Sequence, residues 1–102
     1  MTDAGRIGFQ GSITIANSGQ MRTAMHNALQ AKPSELSVDL SGVSYMDSSA
    51  LATLIEAFRI ANKQGTRLVL AGLKDQPRYL VEVTHLDSLF DIASAEVAHE
   101  NA

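Results

Sequence analysis

The stretch "LSVDLSGVSYMDSSALATLIEAFRIANKQGTRLVLAGL", Leu36 to Leu73, decides the fold of this chain. Leu36, Val38 and Leu40 alternate with polar residues, the two-residue period of a strand with one face buried. This central strand is expected to end near Val43. A carboxylate and two hydroxyls, Asp47, Ser48 and Ser49, then stand directly before a change of period. Leu51, Leu54, Ile55, Phe58 and Ala61 recur at helical spacing, which places Thr53, Glu56, Arg59 and Lys63 on the opposite side. Gly65 falls where a helix ends in a left-handed residue, and "TRLVLAGL" follows as a short apolar strand. Strand, helix, strand in that order reads as a right-handed crossover in an α/β domain.

The flanks extend the same alternation. Ile7 and Phe9, then Ile13 and Ile15 after Gly11, predict a first strand, with Gly5, Gly8 and Gly11 as punctuation within it. No Lys-Ser/Thr pair follows those glycines, so they are not a phosphate-binding loop. Asn17 or Ser18 is placed to cap a first helix, and Gln20 completes a capping-box spacing from Asn17. Met21, Ala24, Met25, Ala28 and Leu29 form its inner face and Arg22, His26, Asn27 and Gln30 its outer face, until Pro33 stops the pattern. Asp75, Gln76 and Pro77 open a third helix with Leu80, Val81 and Thr84 inward. "LDSLFDI" leads into a short last strand, and residues 94–102 read as a short closing helix or tail. The expectation is one domain over 1–102, its core about 6–93, with a mostly parallel sheet of about four strands and helices packed against it.

Composition narrows the function. With 102 residues, 45% hydrophobic and 19% charged, the chain suits a single hydrophobic core. Eleven acidic against eight basic residues give a net charge of −3, without a Lys/Arg cluster to neutralise phosphates, which argues against nucleic acid as the ligand. Cysteine is absent, excluding disulfides and thiol chemistry, and His26, His85 and His99 are too scattered for a metal site and read as surface residues. No apolar run reaches the length of a spanning helix, and "MTDAGRIGF" lacks the apolar centre of a signal peptide, so a cytoplasmic protein without membrane insertion is expected. Ser48 lacks a G-x-S-x-G elbow and has no base assigned by sequence, so no enzyme and no cofactor are expected.

The tripeptide Asp47-Ser48-Ser49 admits two uses. One of its side chains caps the second helix, or the helix start displays a serine for modification at a terminus whose free N–H groups tolerate phosphate. Capping needs one side chain, and here there are two candidate caps and a spare hydroxyl.

"VDLSGVSYMDSSALATLIEAFRIANKQGTRLVLAGL" resembles the STAS domain of anti-sigma factor antagonists, with its strand, Asp-Ser-Ser/Thr-Gly-Leu motif, helix, glycine and strand. The likeness continues through "VTHLDSLFDI" and spans nearly the whole chain. It implies a bacterial partner-switching regulator. The serine after the motif aspartate, Ser48 here, would be phosphorylated by a serine kinase that is also an anti-sigma factor, and reset by a metal-dependent phosphatase. The unphosphorylated form would bind that kinase and free the sigma factor. Asp47 would then set the switch loop, Ser49 would cap the second helix, and Ser44, Tyr45 and Met46 would border the docking surface. Thr14 lies where many members carry an aspartate near the switch, and Ala50 where they carry glycine; the chain starts about one strand later than typical members. STAS domains also serve as accessory subunits of bacterial lipid-transport ABC systems, which "GLKDQPRYLVEV" also resembles, and this is the alternative function.

Overall fold

In the computed structural model, residues 4–93 are described, with side-chain burial through Phe90. The chain runs β1 (Ala4–Ile13), α1 (Ser18–Gln30), β2 (Glu35–Met46), α2 (Ser48–Gln64), β3 (Arg67–Ala71), α3 (Asp75–Val83), a 3-10 turn (Leu86–Ser88) and β4 (Asp91–Ala93). The strands form one sheet in the order β1-β2-β3-β4, and every neighbouring pair is parallel. The expected α/β architecture is therefore present. The tail expected over 94–102 lies outside the described residues.

Parallel register explains the core. Ile7 is opposite Val38, and Val38 is opposite Leu70, so their side chains share one face. On that face Leu36, Val38, Leu40, Leu68 and Leu70 join Met21, Met25 and Leu29 of α1 and Ala50, Leu54, Ala57 and Ala61 of α2 in one buried cluster. The small alanines let α2 approach closely while α1 contributes the long methionines. Residues of opposite parity along β2, Ser37 and Asp39, are only half-buried, as is usual where one face of a sheet is not packed. Asp39 there accepts a hydrogen bond from the Ser41 amide at 2.9 Å. The Ser41 hydrogen bonds, side chain before backbone, hold its carboxyl below the usual range.

Helix ends follow the sequence with one exception. Gly65 closes α2 at φ 82°, its N–H bonded to the Ala61 carbonyl, as its position predicts. Asn17 does stand before α1, but the capping box does not form. Its Oδ1 instead accepts from the Thr14 amide at 2.8 Å, and its side-chain amide donates to the Ser12 carbonyl at 2.9 Å. A tight β1–α1 turn competes for the same side chain and wins, because it satisfies two loop backbone groups.

Several side chains depart from their expected environment. Ile15 lies beyond the end of β1 and is 79% exposed rather than part of the strand's inner face. Thr53, expected outward, is buried, with its hydroxyl bonded back to the Ser49 carbonyl at 3.0 Å; that local bond is what lets a polar residue sit inside. Thr84, expected inward, is the exposed residue ending α3. His26 is half-buried, and its Nε2 is sequestered 3.6 Å from Glu56 Oε2 at the α1–α2 seam. The same Glu56 receives Arg22 of α1 in two hydrogen bonds, at 2.7 and 3.0 Å.

Candidate functional site

β2 is longer than its alternation suggests. It continues past Val43 to Met46, so the Asp47-Ser48-Ser49 tripeptide begins where the strand stops. At this end β2 pairs with β1 as far as Ile13 opposite Met46, whereas its pairing with β3 ceases at Asp39 opposite Ala71. Two register irregularities in the β1 pairing, between Gly8 and Gln10 and between Gly11 and Ser12, turn the ladder and re-aim its last residues. Gly11 takes φ 81° there, a conformation that glycine adopts without a Cβ penalty.

Asp47 is the helix cap. Its Oδ1 accepts from the Ser49 amide at 2.9 Å and the Ala50 amide at 3.2 Å, satisfying two of the first-turn donors of α2. Its Oδ2 accepts from the Ile15 amide at 2.9 Å, and its own amide donates to the Ile13 carbonyl at 3.1 Å. One carboxylate thus fastens the β1–α1 loop to the start of α2. The Ser49 hydroxyl donates to Oδ1 at 2.6 Å and is the largest influence holding the Asp47 carboxyl below the usual range; the Ala50, Ile15 and Ser49 amides act the same way against partial desolvation. Ser49, expected to cap α2, buttresses the cap instead. The aspartate reaches the amides two and three residues ahead because it stands outside the helix, whereas Ser49 is already within it.

Ser48 is the first residue of α2 and is exposed, and no hydrogen bond among the described residues engages its hydroxyl. The two serines are therefore not equivalent: Ser49 is half-buried and committed, and Ser48 is free for a visiting group. The cap also changes what the helix terminus offers. Because Asp47 already holds the Ser49 and Ala50 amides, a phosphate on Ser48 would not settle into that pair of donors. It would stand outside, beside an ionised carboxylate.

Of the residues expected to border a docking surface, Ser44 and Tyr45 are exposed, Tyr45 by 45%. Thr14 is half-buried in the β1–α1 turn, accepting from the Ala16 amide through Oγ1 at 3.2 Å. Met46 is different. Its side chain is fully buried, so it belongs to the core and not to the surface; it keeps the even parity of the inward residues Leu36, Val38 and Leu40. Ile15 takes its place beside the switch. It opens an uncharged groove lined by Ala16, Gly19, Thr23 and Ala24 along α1. No feature of the sequence distinguished Ile15 from a strand residue, because its apolarity continues the alternation of Ile13.

Among the described residues no helix is long and apolar enough to cross a membrane, and no three His, Asp or Glu side chains cluster as metal ligands. Known proteins resemble the chain in sequence and in fold. The anti-sigma-B factor antagonist of Listeria monocytogenes is 39% identical over 61 residues, covering 60% of this chain and 54% of that protein, so the match spans about half the relative's length. The anti-sigma-B factor antagonist of Bacillus subtilis is 28% identical over 89 residues, 87% of this chain and 81% of that protein. A sulfate transporter family protein from Wolinella succinogenes superposes with a TM-score of 0.76 at 14% identity, covering 88% of this chain and 75% of that one, a likeness of fold alone. The STAS domain pattern itself matches residues 3–99, nearly the full chain, and the chain belongs to the STAS domain family.

Proposed function

We propose that this protein is a cytoplasmic anti-sigma factor antagonist, a non-enzymatic partner-switching regulator that binds a serine kinase anti-sigma factor. In this reading the kinase phosphorylates Ser48 and a metal-dependent serine phosphatase reverses the modification. A shared fold does not choose between regulation and transport. What carries the choice is the unengaged, exposed Ser48 hydroxyl on a helix start that Asp47 holds rigid. The names of the sequence relatives favour the same role.

The switch follows from electrostatics. A phosphate adds nearly two negative charges beside an Asp47 carboxylate whose depressed pKa keeps it ionised at neutral pH. In the free protein water solvates both groups, so the fold changes little. A partner pressed over Ser44, Tyr45 and Ser48 must desolvate that doubled charge. A loss of about 3 kcal/mol weakens binding more than a hundredfold.

The test uses a purified serine kinase anti-sigma factor from the same organism. With ATP, mass spectrometry should locate one phosphate on Ser48. Titration calorimetry should show tight binding by the unphosphorylated form and by Ser48→Ala, and weak binding by the phospho-form and by Ser48→Asp. A phosphate on Ser49 would refute the assignment of Ser48, and equal affinities of the phosphorylated and unphosphorylated forms would refute the switch and move the reading to the alternative, a lipid-transport ABC subunit.

A further inference from the structure

Met46, the last residue of β2, has lost its neighbour strand on one side. Pairing with β3 ends seven residues earlier, at Asp39. Yet Met46 is fully buried, where an unpaired N–H and carbonyl are costly. The groups that meet them come from the third helix. The Met46 amide donates to Gln76 Oε1 at 2.8 Å, and Gln76 Nε2 donates to the Met46 carbonyl at 2.9 Å. A primary carboxamide is the one uncharged side-chain group that offers an acceptor and a donor side by side. Here it stands in for the absent strand.

The backbone that delivers Gln76 is itself specialised. Asp75 adopts φ 56°, a left-handed conformation unusual for a residue other than glycine. Pro77 follows directly and is buried. Proline restricts the residue before it, which limits how Gln76 can be placed. Strain of this kind persists only where surrounding contacts over-determine it.

We propose that Gln76 is the positioning residue of the switch: it fixes Met46 so that Asp47 can cap α2 and present Ser48 in a single geometry. Asp47 adjoins Met46 directly, and its cap requires its carboxylate to meet the Ser49, Ala50 and Ile15 amides together. Freeing Met46 on the Gln76 side leaves the end of β2 paired with β1 alone. The inference rests on the reading of Ser48 as the modified residue, and it adds α3 as an element that holds the strand end before that serine.

The experiment is native-state hydrogen exchange on the full chain, comparing wild type with Gln76→Met, which keeps side-chain length and removes both hydrogen bonds. First-turn amides exchange by local opening, and core amides exchange through global unfolding. A merely structural Gln76 would speed only the core amides, such as those of Val38 and Leu54. A positioning Gln76 predicts that the Ser49 and Ala50 amides exchange at least tenfold faster. Unchanged rates at Ser49 and Ala50 overturn the proposal. Gln76→Glu keeps the acceptor for the Met46 amide but sets a carboxylate oxygen against the Met46 carbonyl, so it too should accelerate the same two amides; it decides the matter if the methionine variant does not fold. With the kinase that phosphorylates wild type, Gln76→Met should also lose about tenfold in kcat/KM for Ser48, and an unchanged value counts against the proposal. Hydrogen exchange requires no kinase, so failure of wild type to be phosphorylated defeats the functional reading alone, and the amide rates still judge Gln76.

Discussion

Leu54→Ala tests the packing on which the switch stands. Leu54 is fully buried, one and a half turns into α2, within the cluster that includes Ala50, Ala57 and Ala61. The substitution removes three carbons, and at about 0.8 kcal/mol for each the transfer loss is about 2.4 kcal/mol. A cavity remains because the opposing walls are strands tied into a parallel ladder and alanines with no side chain to extend. A residual void of about 50 Å³ adds about 1 kcal/mol more. The expected loss is therefore about 3.5 kcal/mol, a large share of the stability typical of a domain this size. Urea denaturation followed by far-ultraviolet circular dichroism measures it, with an unchanged m-value showing that the compared states are the same. Arg59→Ala, on the exposed side of the same helix, should stay within about 0.5 kcal/mol. A Leu54→Ala loss below about 1 kcal/mol, or equal losses for the two variants, would mean that the buried face of α2 is wrongly assigned.

Two further outcomes are expected from the structure. Gly72 and Gly65 share nearly the same backbone, φ 76° and 82°, but a Cβ on Gly72 would lie 2.6 Å from Ser41 Cβ, and one on Gly65 would meet nothing within 4 Å. Gly65→Ala should thus cost about 1 kcal/mol of left-handed strain. Gly72→Ala should cost about 2 kcal/mol more, from overpacking, and thermal melts that rank them equally would contradict the close approach of the β3–α3 loop to β2. Asp47 has a folded pKa below its unfolded value, so its contribution is present above about pH 4, the unfolded range, and is lost as pH falls through the lower folded value. Asp47→Asn keeps a capping oxygen but does not titrate, so stability measured from pH 6 to pH 2 should fall less steeply in the variant; parallel profiles would refute the assignment.

The order of elements was legible in the sequence because each carries its own period and punctuation. Leu36, Val38 and Leu40 alternate, Leu51, Leu54 and Ala61 repeat at helical spacing, and Gly65 ends the helix through a conformation its sequence position requires. The carboxylate and hydroxyls between strand and helix were legible too, since residue type and place suffice to mark a helix start. Their division of labour was not. That Asp47 caps, Ser49 buttresses and Ser48 remains free depends on where β2 stops relative to β1, and on an Ile15 amide 32 residues away that claims the second carboxylate oxygen. The family resemblance placed Met46 at the docking surface, where its even parity with Leu36, Val38 and Leu40 buries it, and alternation placed Ile15 in the sheet, where a tight turn exposes it. Gln76 carries no periodic signal at all. Its importance lies in meeting a backbone 30 residues earlier, where a neighbouring strand has ended, and only the folded chain brings that vacancy and that carboxamide together. Local periodicity encodes which face is buried, whereas hydrogen bonds between distant segments are fixed by the geometry at which the sheet runs out.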